Sequence, residues 1–343
     1  MKDTVGRSRR RVTIADVAEH AGVSTASASK VLRNAYGASP SMRARVQASM
    51  DELGYRPYGP ARGMRGRTFT VGVILSDLDN PFYSLITEGI ASVVRAHSYE
   101  VFVSPSGFGV SEQRALTEAM IDHQIDGLVM VSPLMRGSEL EQIAARIPMV
   151  VVGHHNQSES FDTVASDDEL GSELVVEHLV ELGHRRIAFV MHAEGRADET
   201  RPECHRLGGF IRAMEARGLA DGIVVVDSQW SLDGGRDAAK QLAAMRRAPT
   251  AVHAGADVVA LGILDELWDS GRSVPSAFSL VGCDNSRASS LGPIQLTTVD
   301  QSGIGMGRQA GQLLVERIEG RVKAVHDVFQ PWLVVRGTTA ARD

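Results

Sequence analysis

The sequence predicts an α/β protein, with a small all-α helix-turn-helix headpiece followed by a two-lobed core built on two parallel sheets. Three observations predict it. The chain opens on a basic stretch dense in helix start and stop signals. Short β-rich runs then alternate with amphipathic helical patterns, as parallel sheets with right-handed crossovers require. There are eight such runs after residue 69, which fits two lobes better than one large sheet.

Composition excludes several classes. Hydrophobic residues are 43% and charged residues 23% of the 343, the balance of an ordinary globular chain. No apolar run approaches the roughly 18 residues of a spanning helix, so no membrane role is expected. Residues 1–11 hold four arginines with no apolar segment behind them, unlike a secretory signal. Two cysteines, Cys204 and Cys283, are too few for a disulfide scaffold or a thiolate metal site. The expected location is a reducing cytoplasm. Charge is unevenly spread. Residues 1–67 hold 13 Lys and Arg against 5 Asp and Glu, a net of +8, while the remaining 276 residues carry −14. A basic head on an acidic body points the head toward a polyanion.

The head is punctuated like a folded module. Thr13-Ile-Ala-Asp16 fits a capping box. Ile14, Val17, Ala18 and Ala21 then share one helical face. Gly22 suits the left-handed stop, and Ser24 suits the N-cap of a second helix over 25–33. Ser39 and Pro40 start a third helix with Met42, Val46, Met50 and Leu53 as its stripe. A short helix, a tight glycine turn and a second helix form the arrangement whose second helix enters the major groove.

The body follows in order. Strands are expected at 70–75, 100–104, 127–131, 149–152, 186–190, 223–226, 251–254 and 279–283. Helices are expected at 83–96, 111–123, 168–182, 202–216, 232–245, 257–270 and 303–319.

Thr13-Ile-Ala-Asp-Val-Ala-Glu-His-Ala-Gly-Val-Ser24, with Ser29-Lys-Val-Leu32 and Glu52-Leu-Gly-Tyr-Arg-Pro57, resembles the DNA-binding headpiece of the LacI/GalR family of bacterial transcriptional regulators. Further stretches resemble that family's effector-binding core, which is similar to periplasmic sugar-binding proteins. They include Asn80-Pro-Phe-Tyr83, Asp126-Gly-Leu-Val-Met-Val131, Arg206-Leu-Gly-Gly-Phe210, Val281-Gly-Cys-Asp284 and Leu296-Thr-Thr-Val-Asp-Gln301. The resemblance implies a headpiece over 1–57, a hinge over 58–67 and an effector and dimerisation domain over 68–343. Its lobes would be 68–160 plus 285–320 and 161–284 plus 321–343, with crossings near 153–165, 284–300 and 320–328.

The resemblance also implies site residues. Thr25, Ala26 and Lys30 sit where the family reads base edges. Ala26 offers a methyl to thymine, and Lys30 reaches guanine or a phosphate. Ser24, Ser27 and Ser29 are short donors suited to phosphate oxygens, and Thr13 and Arg33 complete the set. Met64 occupies the hinge position of the family's minor-groove wedge. In the core, Arg206 matches the ligand-clamping arginine, Asp284 an acceptor of sugar hydroxyls, and Trp230 an aromatic that packs on a sugar face. Ser76, Phe82 and Gln301 complete the effector set. Where the family often has Asn-Asp, this chain has Ala256-Asp257, so a side-chain amide is missing.

Other signals carry less. Gly303-Ile-Gly-Met-Gly307 has Arg308 where a dinucleotide loop needs its last glycine. His154-His155 has no partner at metal-ligand spacing, and no Ser/His/Asp set stands out. The expected partners are a pseudo-palindromic double-stranded DNA operator, a carbohydrate-class small-molecule effector and a second copy of the chain, with no cofactor and no catalytic residues. The dimer surface is expected from helix 83–96 and the 265–291 region. Two alternatives stay open, a solute-binding or carbohydrate-processing protein with an incidental basic arm, and a regulator sensing a protein or a phosphorylated cofactor.

Overall fold

The computed structural model describes residues 12–32, 37–55, 67–192 and 199–342. Two compact units emerge, Met1–Phe69 and Thr70–Asp343.

The first unit is a three-helix module of α1 (Ile14–His20), α2 (Thr25–Leu32) and α3 (Pro40–Leu53). Its boundaries are chemical. The Asp16 backbone N–H donates to Thr13 Oγ1 at 3.3 Å, and the Thr13 N–H donates back to Asp16 Oδ2 at 2.7 Å. Gly22 takes φ +63° behind α1, and Gly54 takes φ +63° behind α3, a region closed to most side chains. Ser39 caps α3 with Pro40 in its first turn. Val17, Ala18, Ala21, Ala28, Val46 and Met50 form the core, and Ile14, Met42 and Leu53 pack at its edge.

The second unit contains two six-stranded sheets. The first consists of β1 (Thr70–Leu75), β2 (Glu100–Pro105), β3 (Gly127–Val131), β4 (Met149–Val152), β5 (Asp162–Ser166) and β11 (His326–Phe329), in the order β11-β5-β4-β3-β1-β2. The second consists of β6 (Ile187–His192), β7 (Ile223–Ser228), β8 (Ala251–Ala254), β9 (Ser279–Cys283), β10 (Thr297–Asp300) and β12 (Trp332–Val334), in the order β12-β10-β9-β8-β6-β7. All pairings are parallel except β12 against β10. Both faces of the inner strands are buried, so alternate residues along them feed different cores. Ile187, Phe189 and Met191 pack on α7 (Asp168–Glu181) and α8 (Pro202–Ala216). Ala188 and Val190 pack on α9 (Leu232–Ala243) and α10 (Asp257–Asp269). In the first lobe, α4 (Pro81–Val94) and α11 (Gly303–Ile318) cover one face, and α5 (Val110–Asp122) and α6 (Gly137–Ala144) cover the other.

Four strands and one helix extend the sequence expectation: β5, β10, β11, β12 and α6. They also move the lobe boundaries. β5 and β11 both belong to the first sheet, and β10 and β12 to the second. The chain therefore crosses at 166–168, 300–303 and 329–332, in place of the expected 153–165, 284–300 and 320–328. The reason is that Asp162–Ser166 and His326–Phe329 pair with each other and extend the first sheet at its β4 edge.

The helices α4 and α11 approach unusually closely. A Cβ on Gly89 would stand 2.8 Å from Gly307 Cα, and one on Gly307 would stand 2.9 Å from the Ile86 carbonyl carbon. Glycine is required there by contact distance, since bonded backbones leave no room for a methyl.

Candidate functional site

Parallel sheets present their ligand-binding positions beyond the carboxyl ends of the strands, at the point where strand order reverses. In the first sheet that strand is β1, flanked by β2 and β3. In the second it is β6, flanked by β7 and β8. The residues just beyond β1 and at the end of β6 meet at one cleft. Ser76, Asp77, Tyr83, Phe108, Ser132 and Leu134 line it from the first lobe, and His192, Arg201, Glu203 and Trp230 from the second.

Trp230 Nε1, a donor, and Glu203 Oε2, an acceptor, are among the polar atoms of this lining that are sealed from solvent and bonded to nothing among the described residues. Glu203 Oε1 is taken by Arg201 Nη2 at 2.7 Å. Burial, and then the Asp77 carboxylate, push the Tyr83 phenol up, so its hydroxyl stays protonated at neutral pH.

Behind the lining runs a buried polar network. Arg206 Nε donates to Asp168 Oδ1 at 2.7 Å, Nη1 to the Gly255 carbonyl at 2.6 Å, and Nη2 to Gln301 Oε1 at 3.0 Å. Its guanidinium carbon lies 5.2 Å from the Trp230 ring centre. Gln301 Nε2 donates to Asp284 Oδ1 at 2.7 Å, and the Asp257 backbone N–H donates to Asp284 Oδ2 at 3.2 Å. Asp257 accepts from Thr298 Oγ1 at 2.6 Å and from the Ser286 N–H at 2.7 Å. His155 Nε2 reaches Asp168 Oδ2 at 2.7 Å from the first lobe.

Electrostatics differ along this chain of groups. Burial alone would raise the Asp168 carboxyl, but Arg206 and then His155 outweigh it and hold the group low. Burial, and then the neighbouring Asp257, push Asp284 well up. Burial likewise pushes Asp257 up to about 6. His253 is driven down to about 3 by burial and by Arg206, so it is neutral. Asp284 and Asn285 take φ +131° and +48°, a strained pair for non-glycine residues at the mouth of β9.

Among the expected effector residues, Ser76 and Trp230 line the cleft, and Arg206, Asp284 and Gln301 form the buried frame behind it. Phe82 stands elsewhere. It belongs to the first-lobe core and faces Gly303 of α11, because one residue along a helix turns about 100°. The neighbouring Tyr83 faces the cleft instead. Asp77, Arg201, Glu203 and Asp168 escaped the sequence reading, and His155 entered it only as a metal-ligand candidate that was set aside. The one available signal was Asp168 in the first turn of an expected helix, which an N-terminal dipole explains equally well.

In the headpiece, Thr25, Ala26 and Lys30 are exposed on α2, Ala26 and Lys30 on the side opposite buried Ala28. Ser24 Oγ accepts from the Ser27 N–H at 3.1 Å and so caps α2, and Thr13 Oγ1 donates to Asp16 at 2.7 Å. Ser29 is half-buried. Arg33, Met64 and hinge residues 58–66 lie outside the described residues. Among the described residues, no three His, Cys, Asp or Glu side chains are grouped to hold a metal ion, and no helix is long and apolar enough to cross a membrane.

Fold and cleft together define a class, a helix-turn-helix head on a two-sheet core with an interlobe ligand cleft. Comparison with known proteins gives the particular family. Residues 13–58 match the bacterial regulatory proteins of the lacI family, and residues 176–339 match the periplasmic binding protein-like domain. The chain is 32% identical over 308 residues to catabolite control protein A of Priestia megaterium, covering 89% of this chain and 92% of that protein. The lac repressor dimer bound to operator and the anti-inducer ONPF is 27% identical with a TM-score of 0.79, covering 97% of this chain and 100% of that one. The regulator CelR in complex with cellobiose is 28% identical with a TM-score of 0.68, covering 96% and 100%. The chain belongs to the LacI family of bacterial regulatory proteins.

Proposed function

We propose that this protein is a cytoplasmic transcriptional repressor that binds a pseudo-palindromic operator as a homodimer and changes its operator affinity when a small polyhydroxyl effector fills the interlobe cleft. The observation that carries the effector reading is the sealed pair of Trp230 Nε1 and Glu203 Oε2. An unbonded buried donor and acceptor each cost about 1–3 kcal/mol. A ligand carrying hydroxyls, which both donate and accept, satisfies both at once. Two of the related proteins support the class, the lac repressor as an operator-bound dimer and CelR with cellobiose.

Within this reading, Thr25, Ala26 and Lys30 meet base edges, and Ser24, Ser27, Ser29 and Thr13 meet or position the phosphate backbone. Arg33 and Met64 extend the contact at the end of α2 and in the hinge. Ser76 and Trp230 touch the effector, while Arg206, Asp284 and Gln301 hold the cleft wall. The frame bridges the lobes through His155 and Asp168, so an effector that changes lobe angle acts on it directly. A coupling of about 1–3 kcal/mol changes operator affinity some 5–150-fold. We assign the cleft no reaction.

Two measurements test the proposal. Selection of duplexes from a random pool, followed by anisotropy titration, should return a twofold-symmetric site held far above random competitor. No preference for any duplex at moderate salt would end the regulator reading. A thermal-shift screen of sugars should find a stabiliser, and that stabiliser should change operator affinity at saturation.

A further inference from the structure

The cleft has a charge arrangement of its own. Glu203 is the second residue of α8, at the positive end of a helix of fifteen residues. Such an end is a ready anion site, and here the chain's own carboxylate occupies it, only 3% exposed. Arg201 supplies the one guanidinium among the described lining residues, and Glu203 neutralises it at 2.7 Å. Arg206, behind Trp230, is committed to Asp168, Gly255 and Gln301. Asp77 adds a second carboxylate from the opposite lobe, its Oδ1 accepting from the Asp79 and Asn80 N–H groups at 2.8 and 2.7 Å. Two carboxylates and one guanidinium leave the described part of this lining negative.

We infer that Glu203 is a specificity-determining residue, which makes the cleft take uncharged or amine-bearing polyhydroxyl ligands and turn phosphorylated or carboxylated ones away. The inference rests on the reading of this cleft as the effector site. A phosphate entering here meets Glu203 Oε2 and Asp77 with no free cation among the described lining residues to offset them, in a site where water screens little. A hydroxyl or ammonium group meets in Glu203 Oε2 an acceptor that nothing else among the described residues uses. Removing the carboxylate reverses the logic. It frees both Arg201 and the end of α8 to receive an anion.

The test uses the full chain and a matched panel of hexoses, 2-amino hexoses, hexose 6-phosphates and hexuronic acids, read by thermal shift and then calorimetry. In the parent protein, stabilisation is expected from uncharged or amino members and from none of the anionic ones. Glu203→Gln should gain about tenfold or more in affinity for the anionic partners of whichever sugar binds, and lose affinity for the amino partner. Arg201→Gln, which leaves the carboxylate unpaired, should move the preference the other way, toward the amino member. It supplies the second reading if Glu203→Gln folds poorly. Equal binding of a sugar and its phosphate by the parent overturns the inference and leaves the effector site standing. An unchanged ratio of anionic to neutral binding in both variants does the same. Silence from every member of the panel, in parent and variants alike, overturns the carbohydrate reading itself.

Discussion

Asp168→Asn removes one charge from the buried frame and almost no volume. In the parent, Asp168 is 4% exposed and takes Arg206 on one oxygen and His155 on the other, each at 2.7 Å. The variant leaves the Arg206 guanidinium buried among neutral acceptors alone, the new amide oxygen at position 168, the Gly255 carbonyl and Gln301 Oε1. Asp284 is a weak replacement, because burial and Asp257 favour its protonated form. Breaking a buried pair by deleting one partner costs about 3–5 kcal/mol. At about 2–4 °C per kcal/mol for a core of this size, melting should fall by roughly 6–20 °C. Differential scanning calorimetry of the full chain at pH 7 reads this directly. The pH dependence supplies a second check. The folded Asp168 carboxyl is held low, so its contribution is present above the unfolded value near 4 and is lost as pH falls through the folded value. That acid-side loss should be smaller in the variant. A variant melting within about 2 °C of the parent would refute the idea that Asp168 neutralises Arg206.

Three further outcomes are expected. Gly89→Ala should destabilise the core by about 1–3 kcal/mol in urea titrations, because its methyl would stand 2.8 Å from Gly307 Cα and the Arg308 nitrogen with no side chain able to yield. Between about pH 4 and 6 the folded protein holds the Asp257 proton that the unfolded chain has released, so core stability should fall as pH rises across that window, and Asp284→Asn should flatten the slope in calorimetry. Lys30→Ala should weaken operator binding. A salt slope reduced by about one would mark a phosphate contact, and relaxed preference at one base pair would mark a base contact, whereas unchanged affinity and slope would remove Lys30 from the interface.

The headpiece was legible because its signals are local. Thr13, Ser24 and Ser39 cap the three helices, Gly22 and Gly54 stop two of them, and every one of these interactions spans five residues or fewer. The inner strands were legible because burial on both faces makes them continuous apolar runs, as in Met149–Val152. The strand Asp162–Ser166 was not. It begins with an aspartate that is fully buried only because Arg317 and Arg321 arrive from more than 150 residues away. The site shows the same division. Trp230 and Ser76, which line the cleft, were singled out by their resemblance to family positions. Glu203 and Asp77 were not, because their meaning comes from facing each other across a cleft built by two lobes. Phe82 and Tyr83 were confused because neither side of that helix start can be told from the other before α11 is packed against it.

The glycine contact between α4 and α11 turns two helices into a single stiff bar. α11 leaves the second crossing directly, at 300–303, and runs for sixteen residues along α4. A helix of that length extends about 24 Å, so a tilt of about 10° where it leaves the crossing carries its far tip about 4 Å. With backbone against backbone at Gly307 and Gly311, less of that swing is absorbed there by side chains changing rotamer. Small adjustments beside Gln301 are thereby geared up into displacements on the scale of an atom-to-atom contact at the opposite edge of the first lobe.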